Sequence, residues 1–157
     1  MTRDDFVSQA QHSPIRDRHP NGAQLSVREL MEWMLLESDG TASDMLMKLA
    51  GGPLIIQSYL SELKVNNMTI LNTEKQLGQD RTLQYRNWAT PEAAVALLRT
   101  LEERRGLSET SQALLLKLMT ESSPGAKRPE RTLARRHYRR AQDRHLRNCR
   151  GHHGGDK

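Results

Sequence analysis

Ser38, Asp39 and Gly40 stand together, and Glu74 follows in a polar stretch further along the chain. A hydroxyl both donates and accepts a hydrogen bond. A carboxylate within reach of one water can take its proton. Serine and glutamate are therefore residue types suited to hydrolytic chemistry. Taken singly, each has a plainer reading: a Ser-Asp pair between two helices stops one and caps the next, and a loop glutamate is usually solvated. One Ser-x-x-Lys pattern occurs, Ser61-Glu62-Leu63-Lys64, at the end of a helix where Leu63 reads as core and its neighbours as solvated. It reads as a chance pattern. Cys149 and His152-His153 lack the paired spacing of a metal site, so no metal ligand and no cofactor are assigned.

The elements that must hold these residues are mostly helices. Ser26 and Glu29 form a capping box, and Val27, Leu30, Met31, Met34 and Leu35 follow at helical spacing, predicting a helix over 26–37 with one buried stripe. Ser38-Asp39-Gly40 interrupts it. A second helix is predicted over 41–50, with Met45, Leu46 and Leu49 inward, and Gly51-Gly52 as its stop. Pro53 opens a third, to about Lys64, with Leu54, Ile55, Tyr59, Leu60 and Leu63 as its apolar set. Asn66-Asn67 signals a turn before a short extended run, Met68 to Leu71. Residues 72–89 show no period and read as a long irregular loop, which a compact domain rarely keeps without a use. Thr90-Pro91-Glu92 starts a helix carrying Val95, Leu97, Leu98 and Leu101, which Gly106 stops. Ser108 starts the last, ending before Pro124-Gly125.

The chain has 157 residues, enough for one core, and a net charge of +5 that hides a split. Residues 127–157 hold eleven Lys/Arg against three Asp/Glu, four of the six histidines and the single cysteine. The rest of the chain is mildly acidic. One cysteine excludes an internal disulfide, and no apolar run is long enough to span a membrane. The first residues, Met1 to Phe6, have no apolar segment of a signal peptide.

Ser38-Asp39-Gly40-Thr41-Ala42-Ser43-Asp44 with Leu49-Ala50-Gly51-Gly52 resembles the S-D-N helix of class A serine β-lactamases. Thr73-Glu74-Lys75-Gln76-Leu77-Gly78 resembles their Ω-loop. Gln84 to Pro91 and Leu107 to Leu115 are similar to the following loop and helices of the extended-spectrum branch. The resemblance covers about residues 3–128 and implies a mainly α chain: the helical domain of the two-domain β-lactamase/DD-peptidase-like fold, with most of the α/β domain missing.

It also implies roles. Ser38 would relay a proton toward the β-lactam nitrogen, Asp39 would buttress the helix junction, and Glu74 would activate the deacylating water. Gly40 stands where the family usually has an Asn that binds substrate, and Gly78 where Asn or His helps hold the water. The plain alternative for both is a backbone that wants glycine at a turn. The family's nucleophile and its lysine would precede Ser38, and its K-T-G strand would follow residue 128. Neither is in this chain, so the chain is expected to give no turnover. The implied substrate is a β-lactam and the implied state a monomer. The full-length family member would be periplasmic or secreted, and this chain cytoplasmic if made as given. Uncovered apolar faces predict poor solubility or loose packing.

Residues 129–157 part from the family. With permitted codons from Glu130 onward, a one-base shift reads Asn-Gly-Leu-Leu-Pro-Ala-Gly-Thr and continues into K-T-G. The reading is a frameshift near codon 129 and a tail without fold. The competing class is a small helical binding module whose basic tail neutralises nucleic-acid phosphates. That tail offers only Tyr138 for stacking, so nucleic-acid binding would be incidental.

Overall fold

The fold is taken from a computed structural model, which describes residues 1–122. The expectations for the basic tail, and the boundary drawn at residue 128, lie outside the described residues. Seven α-helices follow one another among these residues: α1 Pro14–Arg18, α2 Val27–Glu37, α3 Gly40–Leu49, α4 Pro53–Glu62, α5 Glu74–Gln79, α6 Pro91–Glu102 and α7 Glu109–Glu121. One two-stranded antiparallel ribbon, β1 Met68–Thr69 with β2 Trp88–Ala89, pairs Met68 with Ala89 and Thr69 with Trp88. It closes the neck of the segment that contains α5.

Local chemistry sets the boundaries. Glu29 N donates to Ser26 Oγ at 3.2 Å while Ser26 N donates to Glu29 Oε2 at 2.7 Å, the reciprocal box that starts α2. Ser38, at φ 58° and ψ 40°, ends it in the left-handed region. Asp39 then caps α3. Gly51 and Gly52, at φ +97° and +91°, turn the chain into Pro53 at the head of α4. Thr90 and Ser108 cap α6 and α7.

Ile15, Leu30 and Ala42 form the buried centre, with Phe6, Trp33, Met34, Met45 and Leu46 packed around it. The Arg18 guanidinium covers the Trp33 ring, 4.7 Å from its centroid. The core thus lies where α1, α2 and α3 meet.

Two expectations need correction. Val27 and Leu49, expected to face inward, are exposed, and so are Leu54, Ile55, Tyr59, Val95 and Leu98 of the expected apolar sets. Helical spacing identifies an apolar face, but a second element must cover it, and the described residues supply none for these. The loop over 72–89 is not irregular either. It holds α5 and a 3₁₀ segment, Arg81–Arg86, both too short for a 3.6-residue period to show. Smaller shifts concern ends: α3 starts at Gly40, and α4 stops at Glu62, with Lys64 at φ 60°.

Candidate functional site

The junction between α2 and α3 is built around a buried carboxylate. Asp39 is 1% exposed. Its oxygens accept from Ile15 N at 2.8 Å, from Ala42 N at 2.9 Å and from Ser13 Oγ at 3.2 Å. Ser13 Oγ is 2.8 Å from Thr41 Oγ1, and Val7 N donates to Thr41 Oγ1 at 3.2 Å. One aspartate therefore fixes the start of α3, the start of α1 and, through two hydroxyls, the preceding loop. A charge this deep is tolerable only when donors surround it.

Ser38, just before it, is exposed and held in a conformation that non-glycine residues adopt rarely. Its hydroxyl has no protein partner among the described residues. It is free to turn toward a ligand.

Glu74 comes to this junction from the far side of the sequence. A β-carbon built on Gly40 would lie 3.6 Å from both Cβ and Cγ of Glu74, and 3.4 Å from the His12 carbonyl. The Glu74 side chain thus faces Gly40 across the space that a β-carbon would fill. Gly40 N also donates to that His12 carbonyl at 3.1 Å.

The residue that seats Glu74 is Asp44, one turn into α3. Glu74 N donates to Asp44 Oδ1 at 2.7 Å and Lys75 N to Asp44 Oδ2 at 2.8 Å. Thr73 and Gln76 complete a capping box at the same end of α5. Partial desolvation, and then the Asp44 charge, push the Glu74 carboxyl above its ordinary value. Burial pushes Asp44 up as well, against the two backbone donors that pull it down. A carboxylate so raised is a better base for water than a free glutamate.

At the neck, Asn87 Oδ1 accepts from Leu71 N at 2.9 Å and from Asn72 N at 3.0 Å, and Asn87 Nδ2 donates to Asn72 O at 2.8 Å. Asn72 Oδ1 is buried without a partner among the described residues.

Ser38, Asp39, Gly40 and Glu74 are thus brought together. Gly78 lies on α5, near its end, against the side chain of Gln11. The turn explanation for Gly40 and Gly78 fails, since neither has a positive φ. Gly78 sits in a helix, where glycine costs roughly 0.5–1 kcal/mol against alanine. Ser61 does not join the group as a nucleophile would. Its hydroxyl donates to Gln57 O at 3.0 Å, back into its own helix. Among the described residues no cluster of three or more His, Cys, Asp or Glu could hold a metal. A groove of about 380 Å³ along α6 is lined by Pro91, Glu92, Val95, Ala96 and Arg99, none of them a site residue.

The sequence reading gave no role to Asp44 or Asn87, which lie in the segments resembling the family, and it passed over Gln11 and Ser13. The Thr73-x-x-Gln76 pattern was available and would have revealed α5, hence the need for a partner at its first amides. Nothing in the sequence alone singles out Gln11, or the hydrogen-bonding role of Asn87.

A family model for the beta-lactamase enzyme family matches residues 1–132. Among curated proteins, the chain is 35% identical over 102 residues to extended-spectrum beta-lactamase PER-1 of Pseudomonas aeruginosa, covering 65% of this chain and 33% of that protein. It is 34% identical over 118 residues to beta-lactamase VEB-1 of the same organism, covering 74% and 40%. Among solved structures, a beta-lactamase from Chitinophaga pinensis DSM 2588 superposes with a TM-score of 0.77 at 33% identity, covering 82% of this chain and 47% of the other. The chain therefore spans between a third and a half of the length of these relatives.

Proposed function

The chain belongs to the beta-lactamase enzyme family, class A, and from that premise we propose that it carries the proton relay of acylation and the water-activating base of deacylation of a serine β-lactamase site. Glu74 is the base that activates water against the acyl-enzyme, and Ser38 relays the proton to the leaving nitrogen. Asp39 fixes the junction that presents Ser38. The observation that carries this reading is that the Glu74 side chain faces Gly40, beside Ser38 and Asp39, with room for no more than a β-carbon between them. It supports a reading in which the exposed Ser38 hydroxyl and the raised Glu74 carboxyl serve one site.

The reaction then divides simply. A nucleophilic serine opens the ring, and the nitrogen takes a proton that passes through Ser38. Glu74 removes a proton from water as its oxygen attacks the acyl carbon. The ester breaks, and the proton returns to the serine. In the one Ser-x-x-Lys pattern, Ser61 Oγ donates to Gln57 O within its own helix, which supports the reading that this serine is not the nucleophile. The chain by itself is proposed to be inactive, with β-lactams as substrates of the complete enzyme, which acts outside the cytoplasm. Two glycines shape that site: Gly40 removes a side-chain contact to substrate, and Gly78 removes one to water.

The test replaces the corresponding segment of a class A relative with residues 1–122. The chimera is expected to hydrolyse a chromogenic cephalosporin, and Glu74→Gln to lose at least about a hundredfold in turnover. A folded chimera whose rate ignores that substitution contradicts the reading. Beyond residue 128 we hold to the frameshift. Nucleotide sequencing through codon 129 should recover K-T-G in the shifted frame, and its absence would make the basic tail a genuine segment.

A further inference from the structure

We infer that Gln11 is a positioning residue for Glu74, its carboxamide filling the space left open by Gly78 and tying the loop before α1 to α5. The inference rests on Glu74 being the deacylating base. Three observations meet at one side chain. Gln11 Nε2 donates to the carbonyl oxygen of Glu74 itself. Gln11 Oε1 accepts from Ser8 N at 3.2 Å and from Ser8 Oγ at 3.1 Å, so the amide's orientation is fixed by what it bonds at each end. A β-carbon on Gly78 would overlap that same carboxamide, lying 3.0 Å from Nε2 and closer still to its other atoms.

The loop that presents Gln11 is itself anchored. Arg16 is buried, and its guanidinium donates to Ser8 O at 2.5 Å and Gln11 O at 3.0 Å. The core that holds α1 therefore holds Gln11, and Gln11 holds the backbone of Glu74 from one side while Asp44 holds it from the other. Gly78 has no conformational need to be glycine, being helical with no positive φ. Room for Gln11 is the need that remains. Any side chain there would push the amide off the Glu74 carbonyl and release the carboxylate from its seat.

This account makes an unusual demand on a glycine-to-alanine change. Alanine favours a helix, so Gly78→Ala on helix propensity alone should tighten α5. Through Gln11 it should do the opposite. Backbone hydrogen exchange at Glu74 and Lys75 is measured in the 157-residue chain, in Gly78→Ala, in Gln11→Ala and in the double variant. The expected result is a reversal of sign. With Gln11 present, Gly78→Ala speeds exchange at both amides about tenfold, and with Gln11→Ala in the background the same change slows it. The carboxyl titration of Glu74, followed by carbon NMR, should move on Gly78→Ala only when Gln11 is present. Amides of α2 serve as the folding control. Slower or unchanged exchange on Gly78→Ala in both backgrounds overturns the inference. So does a Glu74 titration that ignores Gln11. None of these readings needs turnover. An inactive chimera would therefore sink the proposed function and leave the Gln11 coupling standing, and a missing reversal would do the reverse.

Discussion

The side of the molecule around α1, α2, α3 and α5 differs in kind from the side made by α4 and α6. The first is tied by the buried polar groups Asp39, Ser13 and Thr41 at the junction and Arg16 under the loop, and by half-buried Asp44 beneath Glu74. The second presents Leu54, Ile55, Val95 and Leu98 to solvent, Leu54 at 76% exposure. Both carry apolar helix faces. The first buries Ile15, Leu30 and Ala42 together at its centre, whereas the second buries Leu60 and Ala93 but leaves most of its large apolar side chains exposed. A hydrogen-bonded junction is complete when its few donors and acceptors are paired. An apolar face is complete only when a whole second surface arrives. The candidate site lies on the completed side.

The change expected to hurt most attacks that completeness. Asp39→Ala would strand two buried amides and the Ser13 hydroxyl, and should cost about 4 kcal/mol in denaturant unfolding. A loss below about 1 kcal/mol would mean the junction is not what holds the first region together.

Next comes the pH response of the same side. Glu74 and Asp44 have raised carboxyl values, so the folded state holds their protons more tightly than the unfolded state. That contribution is present below the ordinary carboxylate range and is lost as pH rises through the raised values. Asp5, lowered by the Thr2 amide and then by Lys48, has the opposite sign, and its contribution is lost as pH falls. Stability measured against pH should therefore flatten on its upper carboxylate limb in Glu74→Gln. An unaltered profile would place Glu74 in free solvent.

Thr73→Ala removes one side of the α5 capping box and should cost about 1 kcal/mol. On the other side, Ile55→Ser should shift stability by less than about 0.5 kcal/mol, because Ile55 is already exposed, and should reduce self-association. A large loss there would show that α4 is better covered than the contrast allows.

The contrast also explains what the sequence disclosed. Capping residues act through neighbours in the chain, so Ser26, Asp39, Pro53, Thr90 and Ser108 marked their helices well. Helical period reports which faces are apolar and nothing about what covers them, so Val27 and Leu49, expected inward, are exposed. The resemblance to a known family singled out Ser38 and Glu74. The groups that seat Glu74 were hidden, because Asp44 and Gln11 become informative only once α3, α5 and the first loop meet.

The most direct test of the central claim is mass spectrometry of the chimera bearing residues 1–122, quenched during reaction with a cephalosporin. With Glu74 present, the acyl-enzyme should form and clear. With Glu74→Gln it should form and persist. If the adduct clears at the same rate in both, Glu74 is not the deacylating base, and its place beside Gly40 is structural alone.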